Sequence, residues 1–279
     1  MRQKYTWKLL RTSVPLGVRT LIMGILNVTP DSFSDPGEYF DHANAIARGR
    51  EMEQEGADII DVGGESTRPG NQPVSEEEET RRVIPVIEAL AAVVKIPISV
   101  DTWRSGVARR ALEAGAQIVN DISGFRFDTL LPAVVKETNA AVVLMHSRGT
   151  REMLHDQPKM ENPIREMLES LFGSVQTARV AGITPEAIVV DPGFGFGKDA
   201  EQGLKVLKSL DEFSKLGYPL LVGTSRKSFI RSLIQEPQEA RTWGTAATVV
   251  IAIMNGAHIV RVHDVRSTRS LADVTDRVL

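Results

Sequence analysis

Asn27, Asp61, Asp101, Asn120, His146, Asp191, Lys227, Arg261 and His263 each stand at or just beyond the end of a short apolar run. Carboxylates and amides recognise the planar N–H edge of a heterocycle such as an aminopyrimidinone, because they accept and donate in flat pairs. The cations Arg68, Lys227 and Arg261, together with loop amides, suit an oxyanion such as a phosphate or a carboxylate. A heterocycle with an anionic tail satisfies both requirements. One aspartate at the end of a strand is most often a cap or a loop hydrogen bonder, so the signal lies in the repetition.

The metal chemistry open to these residues is limited. No His-x-x-x-His pair or acidic triplet marks a protein-only zinc or iron site. Magnesium bridging to a bound diphosphate fits better, since it needs few protein oxygens. His146 and His263 read equally as bases, ligands or hydrogen-bonded pocket residues. The segment Asp191-Pro-Gly-Phe-Gly-Phe-Gly-Lys198 has alternating glycines without the continuation of a dinucleotide fingerprint. It reads as a loop whose Phe194 or Phe196 packs on an aromatic ligand, with plain core packing as the alternative.

The elements that must carry these residues recur along the chain. Residues 21–26 are an apolar run, as a strand buried on both faces requires, and the chemistry turns polar at Asn27. Pro30 keeps the following segment, with Phe33, out of an immediate helix. Further apolar strands end at Val62, Asp101, Asn120, His146, Asp191, Val222 and Arg261. Helices are expected over 41–54, 75–94 with a bend at Pro85, 103–114, 129–138, 163–181, a segment reaching 216, 229–234, 240–255 and the C-terminal residues. Ser75 and Glu76 to Glu79 form a capping start, with the acids read as a solvated first turn. Residues 1–20 read as a hairpin at the bottom of the fold.

Eight strands alternating with helices predict a (β/α)₈ barrel, one domain over 1–279, with a doubly wound sheet as the alternative. The length of 279 residues matches the roughly 250 that such a barrel commonly takes. The absence of cysteine excludes disulfides, thiolate metal sites and a cysteine nucleophile. A net charge of -3 with dispersed basic residues argues against nucleic acid as a partner. No run approaches the ~18 apolar residues of a membrane span and no apolar leader opens the sequence, so a cytoplasmic protein is expected.

Seven motifs carry a resemblance. Asn27-Val-Thr-Pro-Asp-Ser-Phe-Ser-Asp35, Asp61-Val-Gly-Gly-Glu-Ser-Thr-Arg-Pro-Gly70, Ser99-Val-Asp-Thr102, Asn120-Asp-Ile-Ser-Gly124, Asp191-Pro-Gly-Phe-Gly-Phe-Gly197, Ser225-Arg-Lys-Ser228 and Arg261-Val-His-Asp264 are similar, in order and over nearly the whole chain, to those of the dihydropteroate synthases. The resemblance implies a pterin-binding barrel that joins 4-aminobenzoate to 6-hydroxymethyl-7,8-dihydropterin diphosphate with Mg²⁺, releasing diphosphate. It implies a pterin pocket of Asp101, Asn120, Ile122, Met145, Asp191, Phe196, Gly223, Lys227 and Arg261. The diphosphate falls to Asn27, Arg68, Arg261 and His263, with Asn27 holding the metal. The aminobenzoate site comprises Phe33, Thr67, Arg68, Pro69, Phe196, Lys227 and Ser228. Asp101, Lys227, Asn27, Arg261 and His263 take the catalytic roles.

The resemblance also implies a homodimer and a sulfonamide target, there being no insertion beside Phe196. The chain departs from the family in Pro36, which stiffens the first loop, and in Met-His-Ser-Arg-Gly after the fifth strand. A methyltetrahydrofolate-dependent methyltransferase and a catalytically silent pterin-binding paralogue are the alternatives. Ser225-Arg-Lys-Ser228 and Arg261-Val-His263 favour the synthase.

Overall fold

The computed structural model describes residues 2–29, 38–67, 71–234 and 236–279. Strands β1 (Tyr5–Lys8) and β2 (Ser13–Leu16) pair antiparallel as the expected hairpin. The barrel strands are β3 (Leu21–Asn27), β4 (Ile59–Gly63), β5 (Ile98–Asp101), β6 (Ile118–Asp121), β7 (Ala141–Met145), β8 (Ile188–Asp191), β9 (Leu221–Val222) and β10 (Ile259–Val262). They run parallel in the order β8-β7-β6-β5-β4-β3-β10-β9. A parallel bridge between Val190 and Leu220 closes the remaining seam, where the Val190 amide donates to the Pro219 carbonyl at 3.0 Å.

Strand alternation decides what goes where. On β3, Ile22 packs outward against the helices, while Leu21 and Met23 point into the barrel. Ile59, Ile118, Val143, Val189 and Ile259 take the same inward parity on their strands and fill the lower barrel. Trp7 and Leu16 of the hairpin, both fully buried, cover that layer from below, and Trp7 Nε1 donates to the Ala187 carbonyl at 3.2 Å. The next inward position, two residues on, is Asp61 on β4, Asn120 on β6, Asp191 on β8 and Arg261 on β10. The barrel therefore has an apolar lower layer and a charged one above it.

The helices are α1 (Glu38–Gln54), α2 (Glu76–Val93), α3 (Ser105–Ala114), α4 (Leu131–Thr138), α5 (Pro163–Val180) and α6 (Ala200–Lys208), then the short α7 (Ser228–Arg231) and α8 (Pro237–Glu239), and finally α9 (Thr245–Met254) and α10 (Val265–Val278). Ser75 caps α2 by accepting from the Glu78 amide at 3.2 Å. The acidic run is not uniformly solvated, however: Glu79 is buried and paired with Arg104. The segment expected as one helix to residue 216 breaks at Ser209 and continues as a 3₁₀ turn over Leu210–Leu216. Trp103 stays out of α3 because it packs edge-on to Phe127, with the Arg104 guanidinium 4.2 Å from its ring centroid. Among the described residues, no helix is long and apolar enough to cross a membrane.

Candidate active site

The floor of the barrel mouth is a charge cluster built by inward parity. Arg261 donates from Nε to Asp61 Oδ2 at 2.6 Å and from Nη2 to Asp101 Oδ2 at 2.5 Å. Asn120 Nδ2 donates to the same Asp61 oxygen at 3.0 Å. Asp61 is wholly buried, and its Oδ1 has no hydrogen-bond partner in the structure. It thus sits beneath the cavity as the anchor of Arg261 and Asn120. Asp101, deep below the protein surface, still exposes 20% of its side chain to the cavity.

Above this floor lies a cavity of about 500 Å³, within the range of small-molecule sites. Ile122 and Met145 supply apolar wall. Asn27, Thr67, Gly223, Ser228 and His263 reach it from the loops and strand ends. His263 is held by Ser225, whose hydroxyl lies 3.0 Å from Nδ1 and accepts from the His263 amide at 3.3 Å. Lys227 places Nζ 4.3 Å from the centre of the Phe196 ring.

The glycine-rich segment after β8 is folded by its own backbone. Asp191 Oδ1 accepts from the Gly193 amide at 2.7 Å, which turns the chain sharply. Gly193 has φ +68, and a β-carbon there would collide with the His146 carbonyl. Lys198 folds back beneath the loop, donating to the carbonyls of Gly193 at 2.7 Å and Phe196 at 3.0 Å and to His146 Nδ1 at 3.0 Å. This geometry separates the two phenylalanines: Phe194 packs into the main core beside Phe229 and only borders the cavity, and Phe196 joins Ile122 and Met145 on its wall.

Burial shapes the titration of six groups here. It pushes Asp101 up to about 7, with Arg261 pulling the other way. It pushes Asp191 up to about 6 against the Gly193 amide and the Lys227 charge. Lys227 is brought down to about 8, by burial first and the Arg261 charge second. Burial likewise brings Lys198 down to about 7. His146 is held well below the ordinary imidazole range by burial and by Lys198, so its ring is neutral and accepts. For Arg261, burial is outweighed by Asp61 and Asp101, which hold the guanidinium firmly charged. The result is a largely buried site with anionic acceptors facing one fixed and one adjustable cation.

Residues 23–263 match the family model described as pterin binding enzyme. The dihydropteroate synthase of Synechocystis is 49% identical over 261 residues, which is 93% of this chain and 90% of that protein. The chain belongs to the dihydropteroate synthase family. Among solved structures, the Xanthomonas albilineans synthase with 4-aminobenzoic acid superposes with a TM-score of 0.92 at 39% identity, covering 99% of this chain and 98% of that one. The same organism's enzyme in complex with 7,8-dihydropteroate gives 0.85 at 38% identity and 95% of each chain.

Within this fold the residues expected from the sequence separate into three groups. Asn27, Thr67, Asp101, Asn120, Ile122, Met145, Asp191, Phe196, Gly223, Lys227, Ser228, Arg261 and His263 all line the one cavity. Phe33, Arg68 and Pro69 lie outside the described residues. His146 does not line the cavity as its strand-end position led us to expect. Its strand turns it under the glycine loop, against Lys198. The sequence reading missed Ile25, Glu65, His155, Ser225, Arg226, Arg231 and Arg241, which also line the cavity. Ile25 carried a readable signal, being two residues before Asn27 on one strand. His155, in a loop without periodicity, carried none.

Proposed function

We propose that the chain joins 4-aminobenzoate to 6-hydroxymethyl-7,8-dihydropterin diphosphate, forming 7,8-dihydropteroate and releasing diphosphate. One observation carries this reading: Asp191, Asn120 and Asp101 form a largely buried, acceptor-rich floor, and Lys227 stands between that floor and the Phe196 wall. The Xanthomonas structures, with 4-aminobenzoic acid and with 7,8-dihydropteroate, support the same pair of subsites.

In this reading Asp191 takes the amino and ring N–H edge of the pterin, and Asn120 pairs beside it. Lys227 donates to the ring carbonyl. Ile122 and Met145 form the apolar wall against which the ring packs, with Gly223 leaving room for its edge. Arg261 and His263 meet the diphosphate together with Arg68. Asp101 stabilises positive charge developing on the pterin methylene as the diphosphate departs. The amine of 4-aminobenzoate attacks that carbon; an aromatic amine is a competent nucleophile at neutral pH, so positioning matters more than a strong base. Thr67, Phe196, Lys227 and Ser228, with Phe33, Arg68 and Pro69, surround the aminobenzoate.

Mg²⁺ belongs to the proposal. Among the described residues there is no group of three or more His, Asp or Glu placed to hold a metal. Asn27 offers a hard amide oxygen on the cavity wall. That donor set fits an ion that keeps its waters and takes most of its remaining oxygens from a substrate phosphate. When bound, magnesium would neutralise charge on the leaving diphosphate.

The same proposal takes the whole chain as one cytoplasmic domain acting as a homodimer. The neighbouring helices α9 and α10 support the dimer, since Ile251, Met254, Val274 and Val278 are exposed on them. Light scattering that gives the mass of a single chain would remove it.

The deciding experiment follows diphosphate release and 7,8-dihydropteroate formation with magnesium, with and without 4-aminobenzoate. Product dependent on both substrates is expected. Tight pterin binding without product would overturn the synthase reading and favour a silent pterin-binding paralogue.

A further inference from the structure

The segment after β7 crosses the cavity mouth and is tied down at two points. The first is Arg151, whose Nε donates to Glu65 Oε1 at 2.5 Å and whose Nη2 donates to the Ser66 carbonyl at 3.2 Å. Glu65 also accepts from Arg104 at 2.7 Å, so this tie is a buried ionic anchor. The second is His155. Its Nε2 lies 2.6 Å from the Thr67 carbonyl and its Nδ1 lies 3.1 Å from the Gly195 carbonyl. Its ring stacks on Phe196, with centroids 5.6 Å apart and planes 23° from parallel.

Both ring nitrogens therefore face carbonyl oxygens, which can only accept. A neutral imidazole has one N–H and leaves one of the two contacts without a donor, whereas the imidazolium donates to both. Thr67 sits in the loop after β4 and Gly195 in the loop after β8, so the doubly protonated ring joins two loops that no strand pairing links. Each of those loops supplies a wall of the subsite assigned above to the amine substrate, namely Thr67 and Phe196. The charged neighbours are Glu65 and Arg151 on the Thr67 side, Lys227 near the Phe196 ring, and Glu152 and Asp156 on the histidine's own segment.

We propose that His155 is a positioning residue that latches the Thr67 and Gly195 loops together around the 4-aminobenzoate subsite, and that the latch is complete only when its ring carries both protons. This rests on the assignment of that subsite made above. Affinity for 4-aminobenzoate then weakens as pH rises and the ring gives up one donor, while the pterin floor is untouched.

The test compares wild type with His155→Gln and His155→Phe across a pH series from mildly acid to mildly alkaline. Because His155 is exposed, both variants keep the core, and a thermal melt verifies folding. Steady-state kinetics should show KM for 4-aminobenzoate raised on the order of fivefold at the acid end in both variants, for the loss of one net hydrogen bond. The ratio of variant to wild type should shrink towards the alkaline end, with kcat and the pterin KM little changed. Taking the ratio cancels titration of the substrates themselves. A pH-independent ratio of one, or a loss in kcat alone, would overturn the latch. NMR of ¹⁵N-labelled protein decides it without turnover: the Phe196 amide should titrate with the His155 ring in wild type and not in His155→Gln. A wild type that makes no dihydropteroate defeats the synthase reading instead, and the NMR titration still tells whether the two loops are latched.

Discussion

Replacing Asp191 by Asn should stabilise the substrate-free protein and at the same time cripple it. Burial lifts this carboxyl from 3.8 to about 6. At 1.36 kcal/mol per pH unit, keeping it ionised at neutral pH costs the folded state about 3 kcal/mol. The folded carboxyl binds its proton more tightly than the unfolded chain does. The cost is therefore complete above pH 6 and disappears as pH falls towards 4. An amide at this position removes the charge and can still accept from the Gly193 N–H. Its own N–H donors face the cavity, so the expected net gain is about 1–3 kcal/mol at pH 8. Urea unfolding at pH 8 should show that gain, and at pH 4 the two proteins should converge. Calorimetric titration with the pterin diphosphate should show the opposite sign, a loss of about 2–5 kcal/mol, because a charged acceptor no longer meets the N–H edge in a dry site. A variant less stable than wild type at pH 8, or one binding pterin equally well, would refute the reasoning.

Lys227→Ala removes a side chain that lies beside the Phe196 ring and above the carboxylates, and should raise KM for both substrates in steady-state assays. Ser228→Ala should raise mainly the aminobenzoate KM, roughly fivefold for one neutral hydrogen bond, leaving pterin affinity unchanged by calorimetry. Lys198→Met strips the donor from the carbonyls of Gly193 and Phe196, and chemical unfolding should show a loss of about 1–3 kcal/mol near pH 10, shrinking as pH falls towards 7 because the variant is also freed of the burial cost of the charged lysine.

What the sequence revealed and what it concealed follow from periodicity. Strand alternation makes Ile25, Asn27, Asp61, Asn120, Asp191 and Arg261 readable, because every inward residue lies two positions from the next. The apolar-to-polar change along each strand even marks the height at which the floor sits. Side chains on loops obey no such rule. Glu79 looked like one more solvated acid of its helix, yet Arg104 pairs with it in the interior. His146 stands at the right height on the right strand, but Gly193 and Lys198 fold over it. The break at Ser209 and the two-residue β9 are likewise decided by tertiary packing rather than by local preference.

The hairpin beneath the barrel has a kinetic consequence. With Trp7 and Leu16 stoppering the lower end, the pocket is closed from below among the described residues. A molecule lying on the floor blocks nothing above it, whereas one seated near Phe196 bars the way to the floor. On the subsites proposed above, loading proceeds from the bottom upwards, the pterin before the amine, and an amine that arrives early gets in the way. Excess 4-aminobenzoate should accordingly slow the enzyme when the pterin diphosphate is scarce.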